Sequence, residues 1–197
     1  IAGLDEAGRG HLAGPVVAGA VILPNPEKAA WVWALRDSKE LTARARQALQ
    51  AQIQSGALAV GVGVASHQEI DSLGIVPATR KAMMSAFKQL AVTPDFLLID
   101  ALRLVECSVP QKAIIHGDRL SLSIAAASII AKVFRDQLMA EMDAQFPGYQ
   151  FSRHKGYGTK AHMELLAKLG PSPIHRRSFA PIRYQNREPD FLRNASG

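Results

Sequence analysis

Asp5 and Glu6 are neighbouring acids at the end of the apolar run Ile1-Ala2-Gly3-Leu4, and Ala7-Gly8-Arg9-Gly10 follows them. Two carboxylates closing an apolar segment are costly unless something cationic sits on them. The Gly8-Arg9-Gly10 turn lets backbone N–H groups come close to a ligand and adds a guanidinium suited to phosphate. Acids for a divalent ion beside an anion-binding turn are the equipment of phosphodiester chemistry. The bland alternative for this stretch is a surface turn with solvated charges.

Two further acids stand at comparable boundaries. Asp100 closes the fully apolar Phe96-Leu97-Leu98-Ile99, and Asp118 precedes the longest apolar-rich segment. Asp118 reads equally as a cap for a helix starting near Leu120. Four clustered acids cannot all stay ionised without cations. Carboxylate and water oxygens suit magnesium or manganese. Two such ions, roughly 3.5–4 Å apart, clamp the attacking water and leaving oxygen of an in-line displacement.

Tyr157, between Gly156 and Gly158 and next to His154-Lys155, is an aromatic amid basic residues. That is a usual stacking platform for nucleic acid; the alternative is an ordinary surface tyrosine. Asp136, well down the long helix from Asp118, reads as a partner for Arg135 or another basic residue, not a ligand. None of the six histidines shows the i, i+4 spacing of a metal pair. His154 and His162 read as surface or backbone-contacting residues.

The elements that must position these residues follow from the pattern. Residues 1–7 and 14–23 read as strands joined through the Gly-Arg-Gly turn, and 57–65 as a third; short connections favour an antiparallel set. Residues 31–35 are ambiguous between loop and short helix. Asp37-Ser38-Lys39-Glu40-Leu41-Thr42 reads as a polar turn, with Thr42 capping a helix over 43–54. Helical patterning recurs over 67–73 and 77–90. The runs 96–99 and 112–115 read as strands, the first buried on both faces. Residues 120–142 form the strongest helix, apolar nearly all round from Ile124 to Phe134, with Lys132, Arg135 and Asp136 turned outward or toward a ligand. A short helix spans 159–169 and stops at Gly170-Pro171. If the first and fourth strands are parallel neighbours, Asp5 and Asp100 meet at one sheet edge. Adjacent strand residues point to opposite faces, so Asp5 and Glu6 share a site only where the strand twists or ends. An α/β layer fold with a mixed sheet is the consequence.

The 197 residues suit one domain, or one domain with an appendage. A 48% hydrophobic fraction is ample for a core. No run approaches the roughly 20 apolar residues of a membrane span. No basic, apolar leader is visible, and one cysteine, Cys107, allows no internal disulfide or cysteine-rich zinc site. A reducing, cytoplasmic location is expected. Residues 1–150 hold 14 Lys+Arg and 14 Asp+Glu, whereas 151–197 hold 9 and 3, so the whole net charge of +6 lies in the last quarter. Such asymmetry points to a polyanion-facing surface, against the alternative of a merely soluble basic tail. Residues beyond Arg183 carry little core character.

The string Gly3-Leu4-Asp5-Glu6-Ala7-Gly8-Arg9-Gly10, continued by Leu12-Ala13-Gly14-Pro15-Val16-Val17, resembles the opening of bacterial ribonucleases HII, the type 2 ribonucleases H. Asp37-Ser38-Lys39-Glu40-Leu41-Thr42, Ile99-Asp100-Ala101, Gly117-Asp118, Ile124 to Val133, His154-Lys155-Gly156-Tyr157-Gly158-Thr159 and His175-Arg176-Arg177-Ser178-Phe179 follow in the family's order. The resemblance implies a ribonuclease H-like fold: a five-stranded mixed sheet flanked by helices, with a helical C-terminal extension. It implies a catalytic domain over 1–146 and a basic nucleic-acid-binding extension over 147–197. It makes Asp5, Glu6, Asp100 and Asp118 the catalytic carboxylates, holding two magnesium or manganese ions. Gly8, Arg9, Gly10 and Tyr157 become the readers of a ribonucleotide–DNA junction, and Ser38 and Lys39 phosphate contacts. The implied partners are RNA–DNA hybrids and DNA duplexes containing ribonucleotides, cut to leave 3′-hydroxyl and 5′-phosphate ends. A monomer is expected, and a sliding-clamp contact stays open. Two departures stand out: His11 where the family often has proline, and Gly74 where many relatives carry asparagine. The rivals are another nuclease or resolvase on the same fold, and a non-catalytic nucleic-acid-binding module. Four retained acids argue against the latter, because carboxylates repel phosphate unless a metal intervenes.

Overall fold

The computed structural model describes residues 1–40 and 42–185, without the side chains of 36–40 and 184–185. Five strands, β1 (Ala2–Ala7), β2 (Val16–Ile22), β3 (Ala59–Ala65), β4 (Leu97–Asp100) and β5 (Gln111–Ile114), form one sheet in the order β3-β2-β1-β4-β5. The first three pair antiparallel, whereas β1–β4 and β4–β5 are parallel. The mixed sheet is the one expected, and β1 and β4 are the parallel neighbours that bring Asp5 and Asp100 to one edge.

A 3-10 helix covers Ala30–Glu40, then α1 spans Ala43–Gly56, α2 His67–Leu73 and α3 Ile75–Lys88. Short α4 (Gly117–Leu120) leads into α5 (Leu122–Gln145), followed by α6 (Phe151–His154), α7 (Lys160–Leu169) and α8 (Ile182–Gln185). The polar stretch 37–40 is therefore helical, continuing 30–35, and not a turn. Thr42 does cap α1, its Oγ1 accepting from Ala45 N at 3.2 Å. The long helix starts two residues later than its pattern suggested. Ser121, not Asp118, is its N-cap, with Oγ accepting from Ile124 N.

The sheet is a layer between two apolar clusters. Ala2, Leu4, Val16, Ala18, Leu97 and Ile99 pack against α3 through Ala78, Ala82 and Met83. Val21 packs with α1 and α5 through Leu49, Ile53, Ala126 and Ile130 on the opposite side. Strand β2 is buried at every residue, as a central strand between two helical layers must be. Helix α5 lies directly on β1: a Cβ at Gly3 would overlap the backbone of Ser123, so only glycine admits this approach. The helix's apolar circumference is thereby accounted for by sheet on one side and α1 on another.

Gly74 closes α2 and opens α3 at φ +85, with no side-chain cap bond for α3. An asparagine there has a side chain able to cap; glycine supplies the conformation only.

Candidate functional site

Strand alternation turns Gly3 and Asp5 toward α5, while Leu4 joins the core on the α3 side. Pairing with β4 stops at Leu4↔Ile99, so Glu6 lies past the covered part of the edge although β1 runs on to Ala7. That answers the alternation problem: β1 outlasts its neighbour, and both acids border the same open end. Asp5 is buried and its Oδ1 accepts from Glu6 N at 2.7 Å. Glu6 Oε1 pairs with Arg9 Nη1 at 3.2 Å, while Glu6 Oε2 is buried with no hydrogen-bond partner. Asp100 ends β4, and its Oδ1 accepts from Gly117 N at 2.7 Å, which ties the first turn of α4 to the strand end. Asp118 is the next residue, buried, and it borders a separate cavity with Leu98, Ser121 and Ser123.

The electrostatics are those of crowded acids. Burial, then the charges of Glu6 and Asp100, push Asp5 up to about 8. Burial also raises Glu6, against the lowering effect of Arg9. Among the described residues no group of three His, Cys, Asp or Glu side chains is placed so as to hold a metal ion. The donor set still fits a hard cation: Glu6 Oε2 is buried without a partner, and Asp5 ionises with difficulty until positive charge arrives.

The turn beside the acids is held by two arginines, a role the sequence pattern did not assign to either. Arg176, fully buried, donates from Nη2 to Gly8 O (2.6 Å), Nη1 to Arg9 O (2.8 Å) and Nε to Gly14 O (3.0 Å). Arg135, also fully buried, donates to Ala13 O, Pro15 O and Lys155 O at 2.9–3.0 Å. Arg135 was expected to face outward or toward a ligand; it borders the pocket beside the turn, and six backbone carbonyls that need donors draw both guanidiniums inward. In a planar trans peptide the N–H opposes the preceding carbonyl. With the carbonyls of Gly8 and Arg9 turned to Arg176, the N–H groups of Arg9 and Gly10 point away from it. Gly8 sits at φ +104, and a Cβ there would overlap the Arg135 side chain. An arginine closing an apolar helix run was the available signal for Arg135.

Around this turn lies a cavity of about 280 Å³, lined by Glu6, Gly8, Arg9, Gly10, Lys132 and Tyr157 together with His11, Ser128 and Arg135. Tyr157 is half-exposed, with Lys132 Nζ 5.6 Å from its ring centre. Asp136 pairs with Lys132 at 2.8 Å, one of the basic partners foreseen for it. The loop bearing Tyr157 rests on a buried stack of His154, His162 and His175. His154 and His162 are thus not surface residues, although both do contact backbone: His162 Nδ1 meets Tyr157 O at 2.8 Å and His154 Nε2 meets Tyr149 O at 2.7 Å. The side chains of Ser38 and Lys39 lie outside the described residues.

A family model described as Ribonuclease HII matches residues 2–182. The chain is 58% identical to the Ribonuclease HII of Dehalococcoides mccartyi over 183 residues, covering 93% of this chain and 87% of that protein. Among solved structures it is similar to the RNase HII of Archaeoglobus fulgidus, determined as a complex with PCNA (TM-score 0.77, 21% identity, 96% and 98% of the two chains). It is also similar to a Bst RNase HIII determined with Mn2+ (TM-score 0.65, 19% identity, 92% and 67%). At these identities the two structures speak for the fold.

Proposed function

The chain belongs to the ribonuclease HII family and is a ribonuclease H, a hydrolase cutting within a strand; from that premise we propose that it cuts the RNA strand of RNA–DNA hybrids and also cuts 5′ of a single ribonucleotide in duplex DNA. The products carry 3′-hydroxyl and 5′-phosphate ends, and the biological outcome is removal of ribonucleotides from DNA. The observation that supports this reading is that Asp5 feels the charges of Glu6 and Asp100 at one sheet edge, while Glu6 also lines the Gly8-Arg9-Gly10 pocket.

Asp5, Glu6, Asp100 and Asp118 are the residues proposed to hold magnesium or manganese, which when bound supplies charge neutralisation and an activated water for an in-line displacement. Arg9 holds Glu6 in the free protein and offers a positive charge to the incoming phosphate. The N–H groups of Arg9 and Gly10, turned outward by the hold of Arg176 on the carbonyls, approach the sugar whose 2′-hydroxyl marks RNA. Tyr157 packs at the neighbouring sugar, where a hydroxyl would be crowded. Recognition through sugar and phosphate leaves base edges unread, so sequence preference is weak. Residues 147–197 supply basic contacts to the duplex, with Ser38 and Lys39 adding phosphate contacts. A sliding-clamp contact belongs to the proposal as a partner class only, and the location is cytoplasmic. Among the described residues no helix is long and apolar enough to cross a membrane.

The test is cleavage of a DNA duplex bearing one ribonucleotide, with and without magnesium. One metal-dependent cut on the 5′ side of the ribonucleotide is expected; cleavage of long hybrids alone would overturn the junction reading.

A further inference from the structure

His11 is the residue of the pocket that neither the acids nor the Gly-Arg-Gly turn explains. It is 4% exposed, and both ring nitrogens are buried without a hydrogen-bond partner. Its ring centre lies 3.6 Å from that of Tyr157, the planes tilted by 41°. Burial, with Arg135, Arg176 and Lys132 around it, holds the imidazole far below its usual range, so it is neutral. Tyr157, by contrast, has a fixed backbone: its N–H donates to His154 O at 2.9 Å and its carbonyl accepts from Thr159 N at 2.8 Å. The backbone thus sets where the tyrosine starts, and the face of His11 sets where its ring comes to rest.

Building on the junction reading, we propose that His11 is a positioning residue, a neutral aromatic platform fixing the height and tilt of Tyr157 over the pocket and so the preference for a junction over a run of ribonucleotides. Neither ring nitrogen has a hydrogen-bond partner, and the Gly8 backbone exerts only a lesser opposing pull, so packing is the main hold on the ring. A phenyl ring should therefore do the same work, and without two buried nitrogens lacking partners.

The experiment compares His11→Phe, His11→Ala and Tyr157→Ala, each assayed on a single-ribonucleotide duplex and a long hybrid. His11→Ala should lower the junction-to-hybrid rate ratio by about 2- to 12-fold, the worth of one aromatic pair. His11→Phe should keep the ratio and melt at a higher temperature. A ratio lost equally in His11→Phe and His11→Ala would overturn the platform, because the nitrogens would then be the working atoms. An unchanged ratio in Tyr157→Ala would overturn the junction reading instead. Fluorine NMR separates the two failures: with 3-fluorotyrosine at the chain's three tyrosines, the Tyr157 resonance should move in His11→Ala and stay near its position in His11→Phe. A resonance unmoved by His11→Ala overturns the platform whatever the substrate ratios show.

Discussion

Asp5 and Arg176 are both ionisable and both buried beside the same turn, yet their surroundings are finished in opposite ways. Each guanidinium nitrogen of Arg176 and Arg135 has a backbone carbonyl within 3.0 Å. Burial lowers both, to about 9 and about 10, and both stay charged at neutral pH. The acids are the reverse: Glu6 Oε2 lacks a partner, and Asp5 is pushed far above the usual carboxylate range by burial and by its neighbours. A satisfied buried charge fixes the shape of the chain. An unsatisfied cluster is a stored demand for something from outside. The arginines therefore belong to the scaffold of the turn and the acids to what the turn presents.

That contrast is broken first by exchanging charge for its neutral isostere on the acid side. Asp5→Asn and Asp100→Asn should each lower cleavage by roughly a thousandfold or more, since several kcal/mol of charge stabilisation is lost. Folding should hold, and thermal stability of the metal-free protein should rise slightly, by about 1 kcal/mol or less, because like charges are separated. Rates and melting curves measured together decide it; two fully active variants would remove the acids from the chemistry. On the other side, Arg176→Leu and Arg135→Leu should each destabilise the fold by about 3 kcal/mol or more, because each removes three charge-assisted hydrogen bonds to backbone carbonyls. Urea unfolding measures this. Arg176→Lys should recover only part, since an ammonium cannot span three carbonyls in one plane. A native-like midpoint for either leucine variant would mean that the clamps are not scaffold.

The acid side was the legible one. Apolar runs that end in Asp5 and Asp100 can be read as strands, and pairing β1 with β4 in parallel puts the acids at a common edge. The three antiparallel strands and the cap at Thr42 follow equally from local pattern. The arginine side was not legible, because five of its six partners are backbone carbonyls 120 to 168 residues distant in sequence, and no side-chain pattern encodes a carbonyl's direction. Histidines 154, 162 and 175 were obscured for the same reason: their spacing matches no ligand motif, and only the folded C-terminal segment stacks them. A helix cap was the alternative reading of Asp118, and Ser121 takes that position instead.

The two halves of the comparison touch at Gly8, whose carbonyl is held by Arg176 and whose Cα faces Arg135. Gly8→Ala places a methyl group at φ +104, which is strained by about 1–3 kcal/mol, and drives it into the Arg135 guanidinium. Stability and junction cleavage should fall together in this variant, whereas the Asn variants separate them. Gly10→Ala, with nothing within 4 Å of its added Cβ, should leave folding nearly unchanged. If Gly8→Ala were as stable as wild type, the clamp would tolerate a shifted turn and its scaffold role would be smaller than stated.

The smallest effect expected is confined to mild acid and tests whether the histidine stack belongs with the satisfied side. His175 is fully buried, its Nε2 2.9 Å from His162 Nε2 and its Nδ1 2.9 Å from Ser172 N. Burial first, then His162, lowers it to about 4; His162 and His154 are lowered as well, burial again leading. His154 and Arg177 add further positive potential at His175, while Ser172 opposes the shift. In the unfolded chain a histidine titrates near 6.5. Between about 6.5 and 4 the unfolded state therefore holds a proton on residue 175 that the folded state lacks. Stability must fall as pH falls through that window, by up to about 1.4 kcal/mol per pH unit for one proton, and the contribution is fully present only above the unfolded value. His175→Gln removes this site's titration. It should be less stable than wild type at pH 7, where the stack loses its hydrogen bonds, but the gap between the two should narrow as pH falls toward 4.5. Urea midpoints across that range give the two slopes. Parallel slopes would show that His175 is protonated equally in both states, and the stack would then be a solvated surface feature with no claim to the scaffold.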